Sequence, residues 1–173
     1  MKEVILSGNC FWCLEAVFQR IKGVLKVESG YYSLRSYEFK FLPDDKLEAV
    51  RLEYNEEIIN LDTILNIFYQ IHTPTLNSWK KEDCFSYYCR SSIIANDEET
   101  FNYGKLKVKE IVESKIFEGE VQTKVIPFIP GAFSLAKEQD LNFYNKNPKD
   151  GYCVSLILPK FDKIGAKFPT YFK

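Results

Sequence analysis

The chain has 173 residues, of which 46% are hydrophobic and 16% aromatic, and this length and composition favour a single folded domain with a substantial core over a disordered chain. The 23 basic residues nearly balance the 24 acidic ones, and the absence of a basic stripe in the sequence argues against a nucleic-acid partner. The charged start, residues 1–3, precedes only a short apolar run, so we expect no signal peptide, no membrane span and a cytoplasmic monomer.

The first predicted elements are a strand over residues 2–7 and a helix over residues 10–21. Gly8 and Asn9 interrupt the apolar run between them. The helix is indicated by apolar residues that recur at steps of three, four and three, and so share one face: Phe11, Leu14, Phe18 and Ile21. The sequence therefore predicts that the chain leaves the strand and begins the helix at Cys10.

Cys10 is predicted to lie at the start of this helix. The backbone N–H groups there have no intrahelical partner, and together with the positive end of the helix dipole they stabilise an anion. We therefore expect the Cys10 thiol to have a lowered pKa and to be a candidate nucleophile.

Cys10 and Cys13 form a C-x-x-C motif, and three further cysteines follow at Cys84, Cys89 and Cys153. In a reducing compartment, an odd number of thiols favours catalytic, redox or metal-binding roles over structural disulfides. The motif is compatible with a dithiol oxidoreductase or with two ordinary semi-buried cysteines. A zinc site with Cys84 and Cys89 is less favoured, because the spacing of that pair is not that of a zinc knuckle.

Glu48 begins the clearest strand of the sequence, residues 48–54. Side chains two residues apart lie on the same face of a strand, so Glu48 shares the apolar face of Val50, Leu52 and Tyr54. A carboxyl partly removed from water there would have a raised pKa and could act as an acid near neutral pH. The pattern alone favours a side chain that points into solvent at the strand end, so the two alternatives remain open.

The other elements continue the alternation of strands and helices. In chain order they are a strand over residues 24–32, a helix over 63–72 capped by Asp62, a strand over 91–95, a helix from about 97 to 116, a strand over 121–128 and a helix over 133–144.

This order predicts the fold. The sequence strand, helix, strand, strand, helix, strand over residues 2–95 is that of a ferredoxin-like split βαβ sheet. We therefore predict an α+β two-layer sandwich with extra C-terminal helices and an irregular C-terminal tail. It would form one domain over residues 1–173, with a core over about 2–146 and a tail over 147–173 that carries Cys153.

Residues 8–18 read Gly-Asn-Cys-Phe-Trp-Cys-Leu-Glu-Ala-Val-Phe, which matches the signature G-x-C-F-W-C-L-E-A-V-F. Further matches follow in order at residues 23–24, 29–31, 48–55, 71–75, 90–91, 147–148, 152–153 and 159–160. Together these stretches resemble the A type of methionine sulfoxide reductase, the peptide-methionine (S)-S-oxide reductase, over most of the chain.

The resemblance implies a role for each matched residue. Cys10 would attack the sulfoxide sulfur, Glu48 would protonate the sulfoxide oxygen, and Tyr37 would hydrogen-bond that oxygen. Phe11 and Trp12 would form an apolar cage for the methyl group of the substrate.

The resemblance also implies how the enzyme is recycled. Cys153 would convert the Cys10 sulfenic acid into a disulfide, which thioredoxin would reduce. The substrate would be methionine sulfoxide in oxidised proteins or as the free amino acid, and no metal or organic cofactor would be needed.

The loop at residues 82–91 departs from the family pattern. When the alignment is anchored on Arg90, the family's aspartate and second tyrosine fall on Cys84 and Cys89. One extra residue would bring Asp83 and Tyr88 to those positions, and we favour this alignment because it restores a carboxylate and a hydroxyl.

A second departure lies in residues 136–141, where the family's His and Gln are replaced by Asp140 and Leu141. The leading hypothesis is therefore a thioredoxin-recycled methionine sulfoxide reductase. The alternatives are a general C-x-x-C dithiol oxidoreductase and a catalytically weakened homologue that binds methionyl peptides.

Overall fold

The computed structural model describes residues 1–34, 46–75 and 90–173. Three of the predicted site residues, Tyr37, Asp83 and Tyr88, lie outside these ranges.

The described residues contain six strands and five α-helices. The strands are β1 (Lys2–Ser7), β2 (Val24–Ser33), β3 (Lys46–Tyr54), β4 (Ser92–Ala95), β5 (Lys124–Pro127) and β6 (Phe133–Leu135). The helices are α1 (Phe11–Phe18), α2 (Leu61–Ile71), α3 (Glu98–Ser114), α4 (Phe143–Lys146) and α5 (Leu158–Lys167), with a π-helical turn, Cys153–Ile157, directly before α5.

The strands form one sheet in the order β5-β4-β1-β3-β2-β6. β1 lies near the centre and pairs antiparallel with β3 and β4, while β2 pairs antiparallel with β3. The four strands β4-β1-β3-β2 confirm the predicted α+β fold with a split βαβ core. β5 extends one edge in parallel to β4, and β6 extends the other edge antiparallel to β2.

The alternation of side chains along the strands divides the core into two parts. Val4 and Leu6 of β1 belong to the larger cluster, which also contains the apolar faces of α1 and α2. Ile5, between them, points to the opposite face and joins a smaller cluster. Val50 and Leu52 of β3 belong to the larger cluster, which confirms the predicted parity of this strand and fixes which face Glu48 shares.

The helix α2 begins two residues earlier than predicted. Its cap is Asn60, whose side-chain oxygen accepts a hydrogen bond from the backbone N–H of Thr63 at 2.9 Å. Asp62, the predicted cap, instead accepts a hydrogen bond from the Tyr103 hydroxyl at 2.8 Å. This contact ties α2 to α3.

The predicted helix over residues 133–144 is wrong over most of its length. Its first residues form β6, because they pair with β2 and because Ala136 donates a backbone hydrogen bond to Ser29 at 3.0 Å. Helix is limited to α4 at the end of the segment.

The predicted irregular tail is also wrong for most of residues 147–173. The π-helical turn and α5 form a helical segment that packs on the domain, since Ile157 and Ile164 are fully buried. Near the chain end, Phe172 forms an isolated β-bridge with Ile21.

Across the described ranges, no helix is long and apolar enough to cross a membrane. In the same ranges, no three His, Cys, Asp or Glu side chains come together as a metal site would require.

Gly30 on β2 provides a test of the β6 pairing. A Cβ at this position would overlap the backbone oxygen of Ser134 and the ring of Phe133. We expect Gly30→Ala to lower the free energy of unfolding by roughly 1–3 kcal/mol in urea denaturation, because β6 must move away from the added methyl group. The control is Gly151→Ala, where nothing lies within 4 Å of the added Cβ. Equal stability of the two variants would contradict this pairing.

Candidate active site

Cys10 is the N-cap residue of α1. Its backbone is extended, with φ −63° and ψ 133°, and the helix begins at the next residue. Asn9 turns the chain from β1 into α1 with a positive φ of 65°, a conformation that Asn adopts more readily than most residues. Gly8 is required beside it, because a Cβ there would overlap the rings of Phe68 and His72. The Cys10 side chain is consequently held, partly exposed, at the start of α1.

Glu48 on β3 reaches the same point. Its Oε2 accepts a hydrogen bond from the backbone N–H of Phe11, with an N···O distance of 3.3 Å. The carboxylate thereby satisfies one of the N–H groups that have no partner within α1, and this group is next in sequence to Cys10. Glu48 is partly buried and lies opposite Tyr31 in the pairing of β2 with β3.

The electrostatic environment of Cys10 differs from the prediction. Burial raises the pKa of the Cys10 thiol, and the negative charges of Glu48 and Cys13 raise it further. The backbone N–H of Trp12 and the hydroxyl of Tyr152 favour the thiolate, but they do not outweigh the other effects. The predicted low pKa is therefore wrong. Because the charge of Glu48 is one cause, protonating that carboxyl must lower the pKa of Cys10.

Glu48 is itself held in an environment that favours its protonated form. Burial raises the pKa of the Glu48 carboxyl, the hydrogen bond from Phe11 acts against this, and the charge of Asp140 raises it further. The pKa of Tyr31 is also raised, first by burial and then by the charges of Glu48, Asp140 and Cys10. An acidic group at position 140 thus favours retention of a proton on Glu48.

Three aromatic rings form a wall beside Cys10, which we call the aromatic wall (Trp12, Phe143 and Tyr152). The Trp12 and Phe143 rings stack with centroids 3.7 Å apart and planes 5° apart, and Tyr152 meets the indole edge-on at 5.5 Å. Phe11, the other predicted cage residue, is buried in the core with its ring 5.5 Å from that of Tyr31. The two adjacent aromatics therefore pack against different partners.

Two further thiols lie in one small buried cluster, which we call the cysteine cluster (Cys13, Ala16, Cys153 and Ile157). Cys13 and Cys153 are both inaccessible to solvent, and Cys10, Cys13 and Cys153 are all present as thiols. The Tyr152 hydroxyl lies 3.4 Å from Cys13 Sγ. Burial raises the pKa of Cys153, and the charge of Asp150 adds to this. Cys153 is thus part of a packed helical segment, not of the irregular tail that the sequence predicted.

His72 is the C-cap residue of α2, and its imidazole contacts Phe68, which precedes residues 76–89, and Ser91, which follows them. Its Nδ1 lies 2.6 Å from the Phe68 carbonyl oxygen, its Nε2 lies 2.8 Å from Ser91 Oγ, and Ser91 Oγ lies 2.7 Å from Thr123 Oγ1. Burial lowers the pKa of His72 to about 4, so the imidazole is neutral at physiological pH. These contacts give His72 a structural role.

The structure brings Cys10, Glu48 and Trp12 together at the start of α1. It adds Tyr152 and Asp140, for which sequence reasoning gave no role. Tyr152 was visible only as the residue before Cys153, and Asp140 only as a departure from the family pattern.

The family model described as "Peptide methionine sulfoxide reductase" matches residues 2–170. A relative from Campylobacter jejuni (strain RM1221), "Peptide methionine sulfoxide reductase MsrA", is 37% identical over 169 residues, which cover 95% of this chain and 98% of the relative.

Two solved structures are similar in fold. Methionine sulfoxide reductase A of Corynebacterium diphtheriae has a TM-score of 0.72 and 17% identity, covering 86% of this chain and 76% of that one. Mxr1 from Saccharomyces cerevisiae, solved in complex with Trx2, has a TM-score of 0.58 and 22% identity, covering 80% of this chain and 83% of that one.

The coupling between Cys10 and Glu48 can be tested with Glu48→Gln. The amide oxygen still accepts the Phe11 N–H, but the negative charge is lost, so we expect the Cys10 thiol pKa to fall. The measurement is the rate of Cys10 alkylation by iodoacetamide as a function of pH, read by mass spectrometry. Glu53→Gln is the matched control, since it lies on the opposite face of β3 and we expect it to leave the profile unchanged. An unchanged or raised midpoint in Glu48→Gln would contradict the coupling.

Proposed function

The chain belongs to the peptide methionine sulfoxide reductase family and is a methionine sulfoxide reductase; from this premise we propose that it reduces the S epimer, in proteins or as free methionine sulfoxide, through Cys10. The observation that carries the proposal is the Glu48 carboxyl, hydrogen-bonded to the backbone N–H adjacent to Cys10. A sulfur nucleophile and a proton donor thereby face the same small space, and both are needed to break a sulfur–oxygen bond.

The first step uses the Cys10 thiolate and the protonated Glu48 carboxyl together. The thiolate attacks the sulfoxide sulfur while Glu48 donates a proton to the oxygen, which is a poor leaving group until it is protonated. Overall, the oxygen passes to Cys10, methionine is released and Cys10 becomes a sulfenic acid. The raised pKa of Glu48 supports this assignment, since the carboxyl must hold its proton until the substrate arrives.

The substrate methyl group is proposed to lie against the aromatic wall. Trp12 supplies the ring that the family resemblance assigns to this role, and the stacked Phe143 holds its plane in place. Phe11 would support the site from the core, because it is buried against Tyr31.

Residues outside the described ranges complete this proposal. Tyr37 and Tyr88 would donate hydrogen bonds to the sulfoxide oxygen, and Asp83 would assist them, as the family pattern implies. We also propose that residues 1–173 act as one domain and as a monomer.

The second half of the cycle is proposed to pass through Cys153 and thioredoxin. A second thiol condenses with a sulfenic acid to form a disulfide and water, and the resemblance assigns this thiol to Cys153. Thioredoxin would then reduce the disulfide by thiol–disulfide exchange. That Mxr1, which is similar to this chain in fold, has been solved with Trx2 supports this choice of reductant.

The proposed first step predicts the kinetics of three variants. With dithiothreitol as reductant, we expect turnover of the S epimer and none of the R epimer. Cys10→Ser should abolish turnover, and Glu48→Gln should lower kcat by about 10²–10⁴-fold because a general acid is lost. The wild-type rate should fall as pH rises through the Glu48 pKa, and Glu48→Gln should lack this limb. Glu53→Gln is the control, with kcat expected to equal that of wild type.

Turnover of the S epimer by Cys10→Ser, or none by wild type, would refute the proposed function. The same proteins should be assayed for insulin disulfide reduction, because the C-x-x-C motif at residues 10–13 also suits a general dithiol oxidoreductase. Insulin reduction by a wild-type protein that leaves both sulfoxide epimers unchanged would favour that second function.

A further inference from the structure

We propose that Glu15 is a positioning residue of the active site, because it holds the chain at Asn142 and thereby places the ring of Phe143. That ring in turn holds the indole of Trp12, so Glu15 sets the selectivity for the S-methyl group of the substrate. This inference rests on the proposed function, in which the methyl group lies against the aromatic wall. It assigns a task to a carboxyl that no step of the proposed reaction uses.

Glu15 is a charged residue on the buried side of α1. Only 3% of its surface is exposed. A carboxylate is almost never buried to this extent unless it is paired, because removing its charge from water is costly. Burial raises the pKa of the Glu15 carboxyl, while the groups that donate hydrogen bonds to it favour the ionised form. The position of these donors therefore shows what the buried carboxyl holds.

The principal donor is the chain directly before α4. Glu15 Oε1 accepts a hydrogen bond from the backbone N–H of Asn142, with an N···O distance of 3.0 Å. The backbone N–H of Phe143 and the hydroxyl of Ser29 also favour the ionised carboxylate. Hydrogen bonds to an ionised acceptor are roughly twice as strong as those between neutral groups. Asn142 has a positive φ of 56°, so Glu15 holds the chain at the residue where it bends.

The residue after this bend is Phe143, the ring that stacks on Trp12. Among the described residues, the buried indole N–H of Trp12 makes no hydrogen bond. The indole is therefore oriented by its ring contacts, of which the stack on Phe143 is the closer and the contact with Tyr152 the more distant. If Phe143 moved, the indole could tilt, and the space beside Cys10 in which the methyl group is proposed to lie would widen.

A second set of contacts holds the same part of the chain through side chains. Gln19 Nε2 donates to Asn142 Oδ1 at 3.3 Å, and Asn145 Nδ2 donates to Gln19 Oε1 at 2.9 Å. Water competes for these partly exposed amides, which lowers their net contribution. Glu15 is thus the buried contact that holds the backbone, and Gln19 on the same helix provides a matched control.

The selectivity between two substrates reports the position of the aromatic wall. Ethionine (S)-sulfoxide carries one more methylene than methionine (S)-sulfoxide, at the group that the wall is proposed to contact. A well-packed apolar pocket disfavours an added methylene, because neighbouring side chains must move to admit it. A loss of folded protein lowers kcat/KM for both substrates by the same factor. Only a displaced wall changes the ratio of the two kcat/KM values.

The test measures this methionine-to-ethionine ratio of kcat/KM with dithiothreitol as reductant. The proteins are wild type, Glu15→Gln, Phe143→Ala, the double variant Glu15→Gln/Phe143→Ala, and Gln19→Ala as the control. We expect Glu15→Gln, which keeps the shape of the side chain but loses its charge, to lower the ratio by about three- to tenfold. Phe143→Ala should lower it at least as much, and the double variant should match Phe143→Ala because both changes act through one contact. Gln19→Ala should keep the wild-type ratio.

An unchanged ratio in Glu15→Gln, with both kcat/KM values lowered together, would overturn the inference, since Glu15 would then serve only stability. Additive effects of Glu15→Gln and Phe143→Ala would also overturn it, because Glu15 would then act by another path. Should Glu15→Gln fail to fold, Glu15→Asp takes its place: it retains the charge but is one methylene shorter, and the same outcomes decide. Absence of turnover of either sulfoxide by wild type would instead refute the proposed function.

Discussion

The hydrogen bond from the Phe11 backbone N–H to the Glu48 carboxylate is the contact on which the site depends. It joins the start of α1 to β3, and so fixes a carboxyl beside the thiol that precedes the helix. The contact exists because β1 ends in a turn at Asn9 and because Glu48 shares the helix-facing side of β3. Loss of either feature would leave the two groups on separate elements.

Because the thiol and the carboxyl lie close together, a negative charge on one disfavours ionisation of the other. Each is partly removed from water, and the charge of Glu48 raises the pKa of Cys10. Protonating the carboxyl therefore favours the thiolate, so one pair of groups can supply the acid and the nucleophile that sulfoxide reduction needs together. Asp140 favours the same state by raising the pKa of Glu48, although it stands where the family pattern has a histidine.

Local patterns predicted the parts of the structure that depend on neighbouring residues. The strand–turn–helix around Cys10 and the parity of β3 follow from side-chain periodicity, and the split βαβ core follows from the order of elements. The patterns could not predict β6, because residues 133–135 become a strand only by pairing with β2. They also gave the wrong sign for the Cys10 pKa, because the burial of the thiol and the charge of Glu48 both arise from tertiary packing that brings together residues distant in sequence.

The central claim is that the surroundings of Glu48 at the start of α1, burial first of all, raise its pKa and so favour the protonated carboxyl. The most direct test is a pH titration of the Glu48 carboxyl by ¹³C NMR in protein labelled at glutamate, with Glu48→Gln used to assign the resonance. The account predicts a titration midpoint for the Glu48 carboxyl clearly above the ordinary value of 4.5. It also predicts a second change in the Glu48 chemical shift at higher pH, where the Cys10 thiol ionises. A carboxyl that titrates at or below 4.5 would contradict it.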